Sequence, residues 1–186
     1  QVQLVLSFYG LPLGNKDLVA ANLLATILGG TMSSRLFTEV RERRGLCYSV
    51  YASHQALEDT GIFQVMAGLD KTRTEEAVKV IWQELKKMTT KLVTTEELKR
   101  AKDHVRGKFL LAFEDSSTQA DFYGKQWLFQ KKLETPEDRL KRIQKVTAAD
   151  IRRVAKSIFN KDRMASAVIG PFEDKKSVEG LFKKMK

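Results

Sequence analysis

"SRLFTEVRERRGLCYSVYA", residues 34–52, sets four arginines into the eleven positions from Arg35 to Gly45 and then turns apolar and aromatic. Its first half has helical spacing, with Leu36, Phe37 and Val40 on one stripe. Gly45 closes that helix, and the Leu46–Val50 run that follows reads as a strand. Strict alternation puts Tyr48 on the same face as Leu46 and Val50, where a structural tyrosine packs. Arg41 and Tyr48 stand seven positions apart across this helix-to-strand turn.

Upstream, residues 2–9 read as a buried strand ended by "GLPLGN". The helix from Lys16 to Leu28 is expected to be capped by Asn15, and Ser33 or Ser34 to cap the next one. Gly29 and Gly30 end the first helix, and a left-handed turn is the default role for glycine there. Downstream come two strands, 46–56 and 62–69, joined through "LEDTG". Residues 73–89 form an amphipathic helix with Ala77, Val78, Ile81, Trp82, Leu85 and Met88 on one face.

Thr94 and Glu97 make a capping box opening a long helix towards Phe113, and a second helix follows "EDSS". Thr135 with Pro136, then Thr147 with Asp150, start two more. Residues 163–169 are a last strand before a basic terminal helix. Strand, helices, paired strands, several helices and a strand predict an α+β fold, a two-layer, mainly antiparallel sheet with helices packed on one face. Residues 1–186 read as a single domain. The chain opens inside a strand pattern without Met or a leader, so it is expected to be a fragment of a longer one.

The formal charge of +10 raises nucleic-acid binding as a possibility. The positive residues, such as Lys86, Lys87, Lys99 and Arg100, fall on polar helix faces, where solvated lysines belong, and no RNA-binding or zinc-finger pattern accompanies them. No apolar run reaches the roughly 20 residues of a membrane span. Cys47 is the only cysteine, which excludes an intrachain disulfide, and it reads as a small apolar strand residue. His54 and His104 lie fifty residues apart without H-x-x-E-H or H-E-x-x-H, so no metal site is expected in this chain. It lacks a complete catalytic apparatus of its own.

"GGTMSSRLFTEVRERRGLCYSV", residues 29–50, closely resembles the carboxy-terminal, non-zinc half of pitrilysin-type metallopeptidases, in the branch of the mitochondrial processing peptidase. "VTAADIRRVAKSIF" followed by "ASAVIGP" is similar to the family's penultimate helix and closing strand. The resemblance implies one half of a clamshell closing on an extended peptide, with zinc held by a homologous partner half on the same parent chain or a second subunit. It further implies that Tyr48 and Arg41 complete the site in trans. Tyr48 hydrogen-bonds the developing oxyanion and Arg41 holds substrate carbonyls, while Gly29 and Gly30 contact substrate. On the residues alone, Arg41 as a solvated helix arginine stands beside that reading.

The expected function is the non-catalytic half of a zinc metalloendopeptidase. The alternative is a non-proteolytic scaffold or core subunit of a larger assembly. Bacterial and mitochondrial compartments both stay open.

Overall fold

The computed structural model describes residues 1–183. Four strands form one fully antiparallel sheet, β1 (Val2–Tyr9), β2 (Cys47–Ala56), β3 (Gly61–Leu69) and β4 (Met164–Ile169), in the order β2-β3-β1-β4. Alternation along β1 is clean. Val2, Leu4, Leu6 and Phe8 are buried, while Gln3 and Tyr9 face solvent. Phe63, Val65, Ala67 and Leu69 of β3 continue the buried face.

Helices cover that face alone, as the sequence predicts for a two-layer α+β fold. The inner ones are α1 (Leu18–Ala25), α2 (Thr74–Thr90) and α6 (Ala148–Ile158). The α2 stripe holds, with Val78, Ile81, Leu85 and Met88 fully buried. Each such side chain contributes about 1.5–3 kcal/mol of transfer free energy. Just past α6, Phe159 sets its ring edge-on to Phe8 at 5.3 Å and to Phe63 at 5.1 Å, tying the helical layer to the sheet. Further out lie α3 (Thr95–Ala112), α4 (Ser116–Gln130) and α5 (Pro136–Lys145), and α7 (Lys175–Lys183) ends the described chain.

The caps at Thr94, Thr135 and Thr147 form as expected, the first and last as reciprocal capping boxes. Two others do not. Asn15 accepts from the Asp17 N–H at 2.9 Å, which closes the preceding loop rather than the helix. The Ser34 hydroxyl donates to the Thr31 carbonyl at 2.6 Å. Nor do Gly29 and Gly30 turn left-handed, since the positive-φ glycines are Gly14 and Gly45. Instead α1 runs into a π-helical turn, Thr26–Gly30, where Gly29 is pressed against β2.

His54 ties β2 to two neighbours. Its Nε2 accepts the Leu11 N–H at 2.9 Å, and Nδ1 lies 3.2 Å from Asn22 Oδ1, so the neutral ring donates from Nδ1. Burial holds its pKa below 6.5. Below pH 6.5 the unfolded chain therefore binds a proton that the folded one resists, and stability falls as pH drops. Thermal melts between pH 7.5 and 5 are expected to fall more steeply for the wild type than for His54→Gln; parallel slopes overturn this role.

Candidate functional site

The opening helix-to-strand unit is held from several sides. Phe37–Glu42 is a second π-helical turn, closed by Arg43 N–H donating to the Thr38 carbonyl at 2.9 Å. Gly45 then takes φ +58°, a left-handed conformation that lets its N–H reach the Arg41 carbonyl at 2.9 Å. Leu46 donates back to Val40 at 2.9 Å, and Arg73 Nη1 donates to the Arg44 carbonyl, also at 2.9 Å.

Three of the four arginines are spent on carboxylates. Arg43 and Arg44 grip the two oxygens of Glu39, each at 2.5 Å. Arg35 makes a bidentate pair with Glu97 at 2.7 and 3.0 Å, fastening the turn to the first residues of α3. Burial pushes the Glu97 carboxyl up, but bonds from Arg35 and from the Thr94 N–H outweigh it and bring its pKa down to about 2.

Arg41 is the exception. Among the described residues its guanidinium has no carboxylate partner, and it lies over two rings, 4.8 Å from the Phe37 centroid and 5.7 Å from that of Tyr48. The two groups that sequence spacing singles out are thus brought side by side.

Tyr48 does not sit where alternation puts it. Cys47 pairs with Leu69 and Ser49 with Gly68, so Tyr48 is the extra residue of a β-bulge. The bulge resets the pleat: Leu46 and Cys47 are both buried, Val50 is 6% exposed, and Tyr48 is 78% exposed. A tyrosine expected beside Leu46 and Val50 is turned out to solvent, with no partner for its hydroxyl among the described residues. By contrast Tyr51 on the same strand donates to Met66 Sδ at 3.2 Å. A surface cleft of about 630 Å³ opens beside Tyr48, bounded by Gly45, Gly68, Asp70 and Lys71.

Cys47 lines the same cleft but is not poised to react. Burial pushes its thiol up to about 11, against the smaller opposing pull of Arg41. Native protein at pH 8 is therefore expected to resist a disulfide thiol reagent and to react stoichiometrically once unfolded; rapid native labelling contradicts the burial.

Of the two glycines, Gly29 is buried and Gly30 exposed. Among the described residues no three His, Cys, Asp or Glu side chains converge to hold a metal ion. No helix of the described residues is long and apolar enough to cross a membrane.

Residues 1–105 match the family model described as the peptidase M16 inactive domain. The chain is 36% identical over 177 residues to a Streptomyces coelicolor protein named an uncharacterized zinc protease, covering 95% of this chain and 38% of that one. A crystal structure of the peptidase M16 inactive domain from Pseudomonas fluorescens superposes with a TM-score of 0.82 at 24% identity, over 92% of this chain and 42% of that one. The inactive peptidase domain of a putative zinc protease from Bordetella parapertussis does so with a TM-score of 0.74 at 22% identity, over 92% of both chains. At those identities the two structures carry the fold alone. The chain spans about two fifths of the length of the curated relatives it matches, 38% and 42% for the first two.

Proposed function

The chain belongs to the M16 peptidase inactive-domain family, and from that premise we propose that it is the non-catalytic half of a zinc endopeptidase. The zinc, its ligands and the general base sit on a homologous partner half. This chain meets an extended peptide from the opposite side and is inactive alone.

Tyr48 donates its phenolic hydrogen to the scissile carbonyl oxygen as that oxygen gains charge. The bulge holds the ring out on a strand, and the stiff ring leaves its O–H few positions, so the donor is aimed before charge develops. Arg41 offers a planar fork of N–H donors to neighbouring backbone carbonyls, which carry no side-chain information; it grips without selecting a sequence. Gly30, exposed at the end of the π-helical turn, is the glycine open to a substrate backbone.

One observation carries the reading: in a stretch where Arg35, Arg43 and Arg44 are all consumed by carboxylates, Arg41 has no carboxylate among the described residues and lies over the ring of Tyr48, whose hydroxyl has no described partner either. Peptide hydrolysis by the two-half parent protein tests it. Arg41→Ala removes hydrogen bonds from a charged donor, worth about 1.5–3 kcal/mol, and is expected to raise KM about 10- to 100-fold with zinc content unchanged. If kcat/KM is undiminished in both Arg41→Ala and Tyr48→Phe, the chain is a scaffold subunit and the assignment fails.

A further inference from the structure

Exposed apolar side chains concentrate in two places. One is the uncovered sheet face, with Tyr9, Tyr51, Ile62 and Ile169. The other is the α3–α4 hairpin, where Leu111 is 70%, Trp127 60% and Leu128 62% exposed, with Leu133 just after it at 55%. The hairpin helices bury little within this chain: Ala101 is the one buried residue of α3 and Gln126 that of α4. Helices are stabilised chiefly by burying apolar side chains, and α4 packs Phe122 against Phe109 and Phe113 but leaves Trp127 and Leu128 in solvent. Large apolar side chains left exposed along one hairpin mark an interaction surface.

Beside it lies a half-buried cation whose nearest acidic influence, Glu134, is already paired with Arg142. The Arg139 guanidinium sits 5.4 Å from the Phe109 centroid and 5.6 Å from that of Phe122, with no hydrogen-bond acceptor or ion pair among the described residues. Burial disfavours its charge, yet arginine stays protonated. It opens onto a cleft of about 540 Å³ walled by Leu57, Phe109 and Phe129, and onto one of about 580 Å³ walled by Gly29, Gly30, Tyr51 and Phe109. A guanidinium taken partly out of water on an aromatic platform is a receptor for one carboxylate.

We propose that the α3–α4 hairpin, with the Arg139 cleft beside it, is the docking surface for the zinc-bearing half, which lays an apolar patch on Trp127 and Leu128 and sets a carboxylate on Arg139. This rests on the reading of the chain as one half of a two-half peptidase. The relatives' chains are more than twice as long, so a second body of polypeptide is available to cover the patch. The hairpin mixes bases (Arg106, Lys108, Lys131, Lys132) with acids (Glu114, Asp115, Asp121), so its charge suits a partner of mixed sign, and the experiment below separates the zinc-bearing half from a second copy. Helix α3 starts at the Arg35–Glu97 pair and runs 18 residues to the hairpin. At 1.5 Å per residue that is about 27 Å, and the 580 Å³ cleft at Arg139 extends along it to Gly29, Gly30 and Tyr51, so the docking surface borders the glycine proposed to meet substrate.

Hydrogen exchange resolved by mass spectrometry tests this, comparing the two-half parent protein with the 186-residue chain alone, which has its own continuous core. Amides of residues 116–130 are expected to exchange about tenfold or more slowly in the parent. The parent carrying Trp127→Glu and Leu128→Glu should return to the isolated rate, and Arg139→Gln should move part of the way. Trp127→Glu and Leu128→Glu should leave the melting temperature of the isolated chain unchanged, because those side chains are exposed. Equal exchange in both contexts, or protection surviving the double variant, overturns the proposal. So does α4 protection that grows with the concentration of the isolated chain, which assigns the surface to a second copy. The variants spare Tyr48 and Arg41 and the readout is not hydrolysis, so failure here and failure of the oxyanion assignment are separable.

Discussion

Tyr48→Phe in the two-half parent protein is expected to lower kcat for peptide cleavage by about 10²–10³, the effect of deleting one preorganised donor to a developing oxyanion, roughly 3–4 kcal/mol. KM should move little, because a ground-state carbonyl gains less from that donor than the charged oxygen does. The substitution removes one oxygen from a side chain that is 78% exposed and has no described hydrogen-bond partner, so folding should not register it. Zinc content should stay at the wild-type value, since no described residue cluster of this chain holds metal. Steady-state kinetics with metal analysis on the same preparations decides the matter. A kcat within twofold of wild type removes Tyr48 from the transition state; a parallel loss of zinc makes its role structural.

How far such a site can be read from sequence depends on the range of the forces that build it. The capping boxes at Thr94/Glu97 and Thr147/Asp150 are legible because donor and acceptor lie three residues apart and need only local geometry. The helix, Gly45 and strand around the arginines are legible for the same reason, as is the amphipathic face of α2. The bulge at Tyr48 is not. It arises from the pairing of Cys47 with Leu69 and Ser49 with Gly68, a register between distant segments, and one inserted residue reverses the face that alternation assigns.

The state of Arg41 is hidden in a related way. Spacing offers Glu39 to Arg43 at i+4, but that Arg44 also takes Glu39, and that Arg35 reaches Glu97 across 62 positions, are tertiary facts. Only when those carboxylates are known to be taken does Arg41 stand out. The exposed hairpin was within reach, since "LFQKKL" at 128–133 is apolar and basic together; its meaning depends on knowing which helix faces the sheet has already claimed.

The glycines separate packing from contact, and Gly29→Ala carries the largest expected stability loss among the substitutions considered. A Cβ on Gly29 would stand 2.4 Å from the Ala52 backbone N, 2.9 Å from its Cβ and 2.9 Å from the Tyr51 carbonyl carbon. Backbone atoms of a paired strand cannot give way as a flexible side-chain tip can, so overpacking of about 1–3 kcal/mol or more is expected. In a chain of this size that lowers the melting temperature by about 2–4 °C per kcal/mol. Nothing in this argument invokes a left-handed backbone; what Gly29 supplies is the absence of a side chain where a helix end meets β2. Because Ala52 lies four residues along that strand from Tyr48, the shift that relieves the clash also moves the donor, and a displacement near 1 Å can cost about 10²-fold in rate. Gly30→Ala is the control. Its Cβ finds Thr26 no closer than 3.4 Å, an ordinary contact, so its melting temperature should match wild type. A KM change in that variant then reports substrate contact unmixed with packing. Calorimetry on both settles the division: a Gly29→Ala protein as stable as its parent means the close approach to β2 is absent in solution.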